Sequence, residues 1–406
     1  MRQRDHAGVL RLRQLFQSNA KRTRRDPTHF EMARPKHPQM SLRPDITHLL
    51  GRARGDLAMG LPVALCGPSG GALIAAAETL DAARLAGLRS VASGAGAQLA
   101  LAITARRAET LKARAYDGDL ARIVLPPDAG TAWIAATADP QSDLASPMKG
   151  PFQTQRGDDA TLHRLALRLV KAARLLPAAL VLPLQDAEAV ANAAGLTILP
   201  AEAADAAMRL SSPPHPVISA RVPLQASHAG RVHVFRPDDG SEEHFAIEIG
   251  QPPRDAPVLT RLHSACFTGD VLGSLKCDCG PQLRAALAQM GAEGAGVLLY
   301  LNQEGRGIGL ANKMRAYSLQ DQGFDTVEAN HRLGFEDDER DFRIGAGILA
   351  KMGFGAVRLM TNNPAKIDMM RRCGIDVAER VPLIVGQTAQ NKDYLATKAR
   401  KSGHLL

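Results

Sequence analysis

Residues 261–282 read Arg-Leu-His-Ser-Ala-Cys-Phe-Thr-Gly-Asp-Val-Leu-Gly-Ser-Leu-Lys-Cys-Asp-Cys-Gly-Pro-Gln, and three of the chain's five cysteines fall among them. One residue separates Cys277 from Cys279, and Cys266 precedes both. Thiolates so spaced in an extended turn can face one ion, and a third can reach it from the end of a neighbouring strand. Zinc takes soft sulfur ligands tetrahedrally, and three protein ligands leave one corner open, as in catalytic sites. Two plainer readings stay open on spacing alone: three reduced thiols, or a closed site completed by a distant histidine.

Immediately upstream, residues 258–263 read as a strand that puts Arg261 and His263 on one face, with Cys266 just past its end. Downstream, residues 281–290 read as a helix with Pro281 at its start and Gly291 at its close. Residues 297–301 form a buried strand running into Asn302-Gln303-Glu304-Gly305-Arg306-Gly307-Ile308-Gly309, and a helix follows over 310–320. Strand, glycine-rich turn and helix start together make an anion site, because free amides and the helix dipole point at the ligand. Arg306 adds a forked cation. Many such loops bind nothing, and the neighbouring cysteines give this one its weight.

A second unit of the same kind closes the chain: strand 356–360, the turn Thr361-Asn362-Asn363-Pro364, and Lys366 at a helix entrance. It suits a phosphate or a base edge as well as an ordinary capped turn. Between the two lies Glu336-Asp337-Asp338-Glu339-Arg340-Asp341. That run reads either as a solvated helix start or as carboxylates and an arginine placed for proton transfer and phosphate stabilisation. The residues alone reach as far as metal-assisted hydrolysis of a phosphorylated, nucleotide-like substrate.

A chain of 406 residues calls for two or three domains, and 45% hydrophobic against 22% charged excludes a disordered polymer. Fifty basic against 41 acidic residues, net +9, point to an anionic partner. Aromatics at 4% are too sparse to stack bases, so a phosphorylated small molecule is expected rather than nucleic acid. Five cysteines, three of them clustered, indicate a reducing compartment. No stretch approaches the roughly 20 apolar residues of a membrane span, and the N-terminus lacks a secretory signal core. A soluble, cytoplasmic protein is expected.

The expected fold class is α/β (mixed α+β), with two domains, each a mixed sheet with flanking helices. Residues 1–40, around Lys21-Arg22-Thr23-Arg24-Arg25, form a basic tail expected to be disordered. Residues 41–210 form an Ala/Leu-rich α/β domain. Here 62–66 read as a strand, Gly67-Pro68-Ser69-Gly70-Gly71 as a turn and 72–85 as a helix. Residues 123–125 and 132–136 read as strands and 160–176 as a helix. The glycine turn before a helix could cradle a phosphate, though it lacks the lysine of a nucleotide-binding loop. Residues 211–229 form a linker, since the prolines of Ser211-Ser212-Pro213-Pro214-His215-Pro216 cannot continue a helix or a central strand. Residues 230–406 carry the site and open on a hairpin around Pro237-Asp238-Asp239-Gly240.

Residues 230–406 resemble GTP cyclohydrolase II, the enzyme that opens riboflavin biosynthesis. The cysteine loop, Gln303-Glu304-Gly305-Arg306-Gly307-Ile308-Gly309-Leu310, Arg315-Ala316-Tyr317, Leu319-Gln320-Asp321-Gln322-Gly323 and segment 325–330 match in order and spacing. So do Asp338-Glu339-Arg340-Asp341-Phe342, Thr361-Asn362-Asn363-Pro364 and the tail from Thr397-Lys398 to Gly403-His404-Leu405-Leu406.

The resemblance implies the GTP cyclohydrolase II fold at the C-terminus and a zinc-dependent hydrolase. Its reaction would turn GTP into formate, pyrophosphate and 2,5-diamino-6-hydroxy-4-(5-phosphoribosylamino)pyrimidine. Carried over, Cys266, Cys277 and Cys279 hold one Zn2+ per subunit, and water acidified by the metal attacks C8 of guanine. Asp338 would accept the proton and Tyr317 would hydrogen-bond in the reacting site. The family makes Arg340 a nucleophile on the α-phosphate; a guanidinium, protonated at cellular pH, suits stabilising the departing pyrophosphate at least as well. GTP would lie along Arg261, Leu262, His263, Ser264, Ala265, Gln282, Glu304, Gly305, Arg306, Thr326, Thr361 and Lys366. Mg2+ would bridge the triphosphate, and a homodimer is expected. Ala265 stands where relatives often carry an acid, and Asn302 where they often carry an arginine.

The first domain resembles dihydroxybutanone-phosphate synthase in Gly71-Ala72-Leu73-Ile74-Ala75-Ala76-Ala77-Glu78, Arg107-Ala108-Glu109-Thr110-Leu111 and Arg156-Gly157-Asp158-Asp159-Ala160. Cys66-Gly67-Pro68-Ser69-Gly70 replaces that family's magnesium-binding acids, and Asp158 stands at or near the place of its histidine. Magnesium needs oxygen ligands, so the domain reads as a fold retained without its chemistry. Two rival readings remain: a bifunctional enzyme that also makes dihydroxybutanone phosphate, and a zinc- and nucleotide-binding protein without catalysis.

Overall fold

The computed structural model describes residues 42–391 except Ser69, Asp158 and 211–213, together with Leu405. The basic run 21–25, the first residues of the expected linker and the C-terminal motif apart from Leu405 lie outside the described residues. Among the described residues no helix is long and apolar enough to cross a membrane.

The first half builds a six-stranded sheet from β1 (Val63–Gly67), β2 (Gly70–Ala76), β3 (Ala100–Thr104), β4 (Leu120–Val124), β5 (Ala178–Leu184) and β6 (Ile198–Pro200). The order is β4-β3-β5-β2-β1-β6, antiparallel except for the β1–β6 pair. Helices α1 (Ile46–Ala58), α2 (Ala82–Ala95), α3 (Ala105–Leu111), α4 (Thr131–Ala138), α5 (Thr161–Ala172), α6 (Ala187–Ala194) and α7 (Ala201–Arg209) flank it. With both faces covered, its strands are apolar on both sides rather than alternating.

That burial explains two departures from the sequence reading. Residues 72–76, expected to begin a helix, lie in β2, paired through Leu73↔Leu182 and Ile74↔Val181. Alanine-rich runs favour helix by propensity, but packing decides here: a Cβ at Gly71 would stand 2.3 Å from the Leu65 carbonyl oxygen. The glycine turn therefore joins two strands, Gly67 pairing with Gly70: it is a plain tight turn, with no helix start behind it to cradle a phosphate. Residues 132–136, expected as a strand, lie in α4, which sends Ile134 and Ala138 into the core.

The second half builds a seven-stranded sheet from β7 (His215–Arg221), β8 (Gly230–Arg236), β9 (His244–Ile249), β10 (Val258–Ser264), β11 (Gly296–Leu301), β12 (Ala356–Met360) and β13 (Asp376–Val381). The order is β13-β12-β10-β11-β9-β8-β7. Strands β13, β12, β10 and β11 run parallel, and β9, β8 and β7 continue as an antiparallel meander. Strand β7 lies inside the segment expected to be a linker. Its proline is tolerated because β7 is the outermost strand, where a missing ladder donor costs little, and the register slips between Pro216 and Ile218.

Helix α8 (Cys279–Glu293) packs Ala286 and Met290 on one face of this sheet; α11 (Arg343–Lys351) and α12 (Pro364–Arg372) cover the other. Helices α9 (Leu310–Asp321) and α10 (Thr326–Arg332) turn the other way. Ala316, Leu319, Ala329 and Leu333 join the core beneath the first sheet, so the two halves share apolar packing. From Arg43 onward the chain is one compact unit. In the second sheet β10 connects through α8 to β11 on one side, while β12 flanks its other side. The connections thus diverge at the carboxyl ends of β10 and β12, where open α/β sheets bind ligands.

Candidate active site

The loops leaving β10, β11 and β12 wall a cavity of about 360 Å³. The three cysteines, Tyr317, Asp338, Arg340 and each expected substrate contact from Arg261 to Lys366 line it. Asn302 does not; its side chain donates to the Glu243 carbonyl in the β8–β9 hairpin.

A π-turn, Phe267–Val271, follows Cys266 and folds it back on the start of α8. The Sγ atoms of Cys266, Cys277 and Cys279 lie within 4.8 Å of one another, with Cys266 and Cys277 at 3.8 Å. Gly269 makes this possible: a Cβ there would stand 2.6 Å from the Cys277 sulfur and 3.1 Å from that of Cys266. Asp270 fixes the loop from behind. Its carboxylate accepts the Cys266 N–H and the Tyr300 hydroxyl, each at 3.0 Å, and sits 3.0 Å from His263 Nε2. Burial holds the His263 imidazole below its ordinary value despite that carboxylate.

Contacts from Cys277 and Cys279, then the Lys313 ammonium, hold the Cys266 thiol far below its ordinary value. The same contact with Cys266 pushes Cys277 up. Lys313 Nζ lies 3.0 Å from Cys266 Sγ, 2.8 Å from Thr268 Oγ1 and 2.9 Å from Glu304 Oε1. Three convergent soft donors, the first readily ionised beside a fixed cation, fit a thiophilic divalent ion such as zinc.

The remaining walls carry Arg261, Arg306, Arg340 and Lys366 together with the carboxylates Asp278, Glu304, Asp337 and Asp338. Arg261 is buried; its Nη1 donates to the Met360 carbonyl at 2.9 Å and its Nη2 to Gln282 Oε1 at 2.5 Å. Its Nε has no partner although it is buried. Burial pulls this guanidinium down to about 10, which still leaves it charged at neutral pH. Lys366 Nζ donates to the Leu262 carbonyl at 3.3 Å, so Arg261 and Lys366 both bridge β10 and the β12 segment.

Arg306 sits in the short turn Glu304–Gly307 with φ 61° and donates to the Asp337 carbonyl at 3.0 Å. The expected amide cradle in this loop is largely used up internally, because Gly305, Gly307 and Gly309 donate to Glu304, Gln303 and Glu304 respectively. Anion binding there falls to side chains.

Asp338 and Arg340 form a forked pair, Nε to Oδ1 at 2.8 Å and Nη2 to Oδ2 at 2.6 Å. Burial raises the carboxyl, but Arg340 outweighs it and holds Asp338 below the ordinary carboxylate value. Burial pushes Tyr317 up to about 12, so at neutral pH its hydroxyl is a donor. Thr326 accepts from Gln320 Nε2 at 3.1 Å, and Thr361 from the Asn363 N–H at 3.0 Å. Sequence reading missed Lys313, Asp270 and Gln303, the last with a buried Oε1 lacking a partner. For Lys313 a signal existed, since it stands four positions before Tyr317 on one helix face.

The GTP cyclohydrolase II family model matches residues 215–382. The chain is 43% identical over 360 residues to a GTP cyclohydrolase-2 of Azospirillum brasilense, covering 87% of this chain and 93% of that relative. It is 58% identical over 164 residues to the GTP cyclohydrolase-2 of a Shigella boydii strain, covering 40% of this chain and 84% of the relative. A two-domain 3,4-dihydroxy-2-butanone 4-phosphate synthase from A. baumannii aligns over 83% of this chain and 99% of its own, at 15% identity and a TM-score of 0.32.

Proposed function

The chain belongs to the GTP cyclohydrolase II family, and on that premise we propose that it hydrolyses GTP to formate, pyrophosphate and 2,5-diamino-6-hydroxy-4-(5-phosphoribosylamino)pyrimidine. Cys266, Cys277 and Cys279 would hold zinc, which supplies Lewis acidity and makes hydroxide available near neutral pH. Lys313 neutralises the Cys266 thiolate beside it. Arg261, Arg306, Arg340 and Lys366 hold the triphosphate, which carries Mg2+ with it. The partnerless Nε–H of Arg261 takes an acceptor of the substrate.

Tyr317, protonated, donates to the reacting base. Asp338 accepts a proton, and its pairing with Arg340 makes that step responsive to substrate. Once phosphate oxygens draw Arg340 away, the Asp338 carboxylate loses its cation and becomes a stronger base. Arg340 then stabilises the charge that develops on the leaving pyrophosphate. The protein works as a cytoplasmic homodimer.

The observation that carries this reading is the convergence of three thiols within 4.8 Å on a cavity walled by guanidinium and ammonium groups. The test is to incubate purified protein with GTP and Mg2+ while measuring formate and bound zinc. Formate and pyrophosphate in equal amounts, with zinc present, are expected; formate from metal-free protein would overturn the assignment. A binder without turnover would leave GTP intact, and a bifunctional enzyme would also convert ribulose 5-phosphate.

A further inference from the structure

Helix α9 has two working faces. Lys313, Tyr317 and Gln320 line the cavity, at the spacing that aligns residues on one helix face. Asn312, Arg315 and Leu319 turn toward the first half of the chain. Leu319 is fully buried in the core under the first sheet. Asn312 Nδ2 donates to the Arg174 carbonyl at 3.0 Å. Arg315 reaches two carboxylates of the first half, Glu78 Oε1 through Nη2 at 2.9 Å and Asp139 Oδ2 through Nε at 3.0 Å.

Both carboxylates are themselves anchored. Glu78 follows β2, and its second oxygen accepts the Leu176 N–H at 2.7 Å. Asp139 closes α4, and its other oxygen accepts the Gln141 N–H at 2.9 Å. Neither residue lines the cavity. The pairs are partly buried, with side-chain exposures of 18–25%, where an ion pair fixes geometry better than at an open surface.

We infer that the first half of the chain is a positioning element of the hydrolytic site, with Glu78 and Asp139 setting the pose of α9 through Arg315. This rests on the GTP-hydrolysing reading above. The helix delivers Lys313 to the sulfur cluster and Tyr317 to the cavity, so a tilt at Arg315 moves both groups together. The cationic wall of Arg261 and Lys366 comes from β10 and α12 instead and stays in place. Loss of the clamp should therefore slow turnover more than it weakens GTP binding.

The test uses the full-length, zinc-loaded protein. Glu78→Ala is expected to lower kcat for formate release about tenfold to a hundredfold, with KM for GTP held within about threefold. Glu78→Gln, which keeps an acceptor for Leu176 or Arg315, should recover part of the loss. Leu169→Ala serves as control: it opens a cavity in the core on the far face of the first sheet and should lower the thermal midpoint without this drop in kcat. If Glu78→Ala behaves like the control, the inference is overturned. If the parent protein releases no formate, the hydrolytic reading fails, and cobalt(II)-substituted protein decides this inference separately. Its thiolate-to-cobalt absorption should shift in Glu78→Ala because Lys313 touches Cys266; an unchanged spectrum would overturn it.

Discussion

Lys313 Nζ lies 3.0 Å from Cys266 Sγ, so a buried ammonium ties the sulfur cluster to Glu304 of the glycine-rich loop. Desolvation alone would lower this lysine, yet Glu304 and Cys266 hold it above its ordinary value, and it stays charged. Lys313→Met removes that charge, so the Cys266 thiol should rise and bind metal less readily. Zinc affinity is expected to fall about 10–100-fold, the usual effect of losing an outer contact to a ligand, with uptake shifted to higher pH. Chelator competition across pH measures both, and an unaltered curve would rule out this role.

Cys279→Ser should abolish formate release and most zinc binding while far-ultraviolet circular dichroism stays close to the parent. Gly269→Ala should do the same for a different reason: its methyl group would meet the Cys277 sulfur at 2.6 Å and spread the donors. Metal content by mass spectrometry checks both variants. Full zinc occupancy in either would break the assignment of the centre.

Asp338 is held low by Arg340 against the upward push of burial. Its proton-accepting form therefore persists below the ordinary carboxylate value, and the acid limb of kcat/KM should lie there. Arg340→Gln removes the cation and leaves the burial, so the residual activity should lose its acid limb at higher pH than the parent does. A limb that stays put would mean that Asp338 is not the acceptor.

His163 is buried in α5 with neither ring nitrogen bonded, and burial beside Arg122 pulls it down to about 4 from 6.5. The unfolded chain thus takes up a proton between those values that the folded chain refuses. Stability from this group is complete above pH 6.5 and is lost as pH falls toward 4, by about 3 kcal/mol. Urea unfolding at pH 7 and pH 4.5 should show a smaller difference in His163→Leu than in the parent.

The parallel part of the second sheet was legible in the sequence because strands, loops and helices there alternate with clear glycine and proline punctuation. The residues that the fold gathers around the cavity were legible because their chemistry is local: sulfur spacing, a forked arginine in a glycine loop, a lysine at a helix entrance. The misread elements of the first half are alanine-rich, so local propensity points to helix, while a strand buried on both faces takes the same small apolar residues once packing demands it. Only the register Leu73↔Leu182 decides between them. Strand β7 was hidden because prolines argue against a central strand and say little about an edge. The contacts of Arg315 with Glu78 and Asp139 join residues far apart in the chain, and no spacing rule reaches that distance.

Arg306 keeps a left-handed backbone at φ 61° and ψ 33°, a pose that costs a residue with a side chain roughly 1 kcal/mol or more. Its companions of the same hand in that loop are glycines. The ribbon is thus kept under tension at the spot proposed to grip a polyanion. A chain tuned only for robustness would carry glycine there too, melt at a higher temperature and lose its hold.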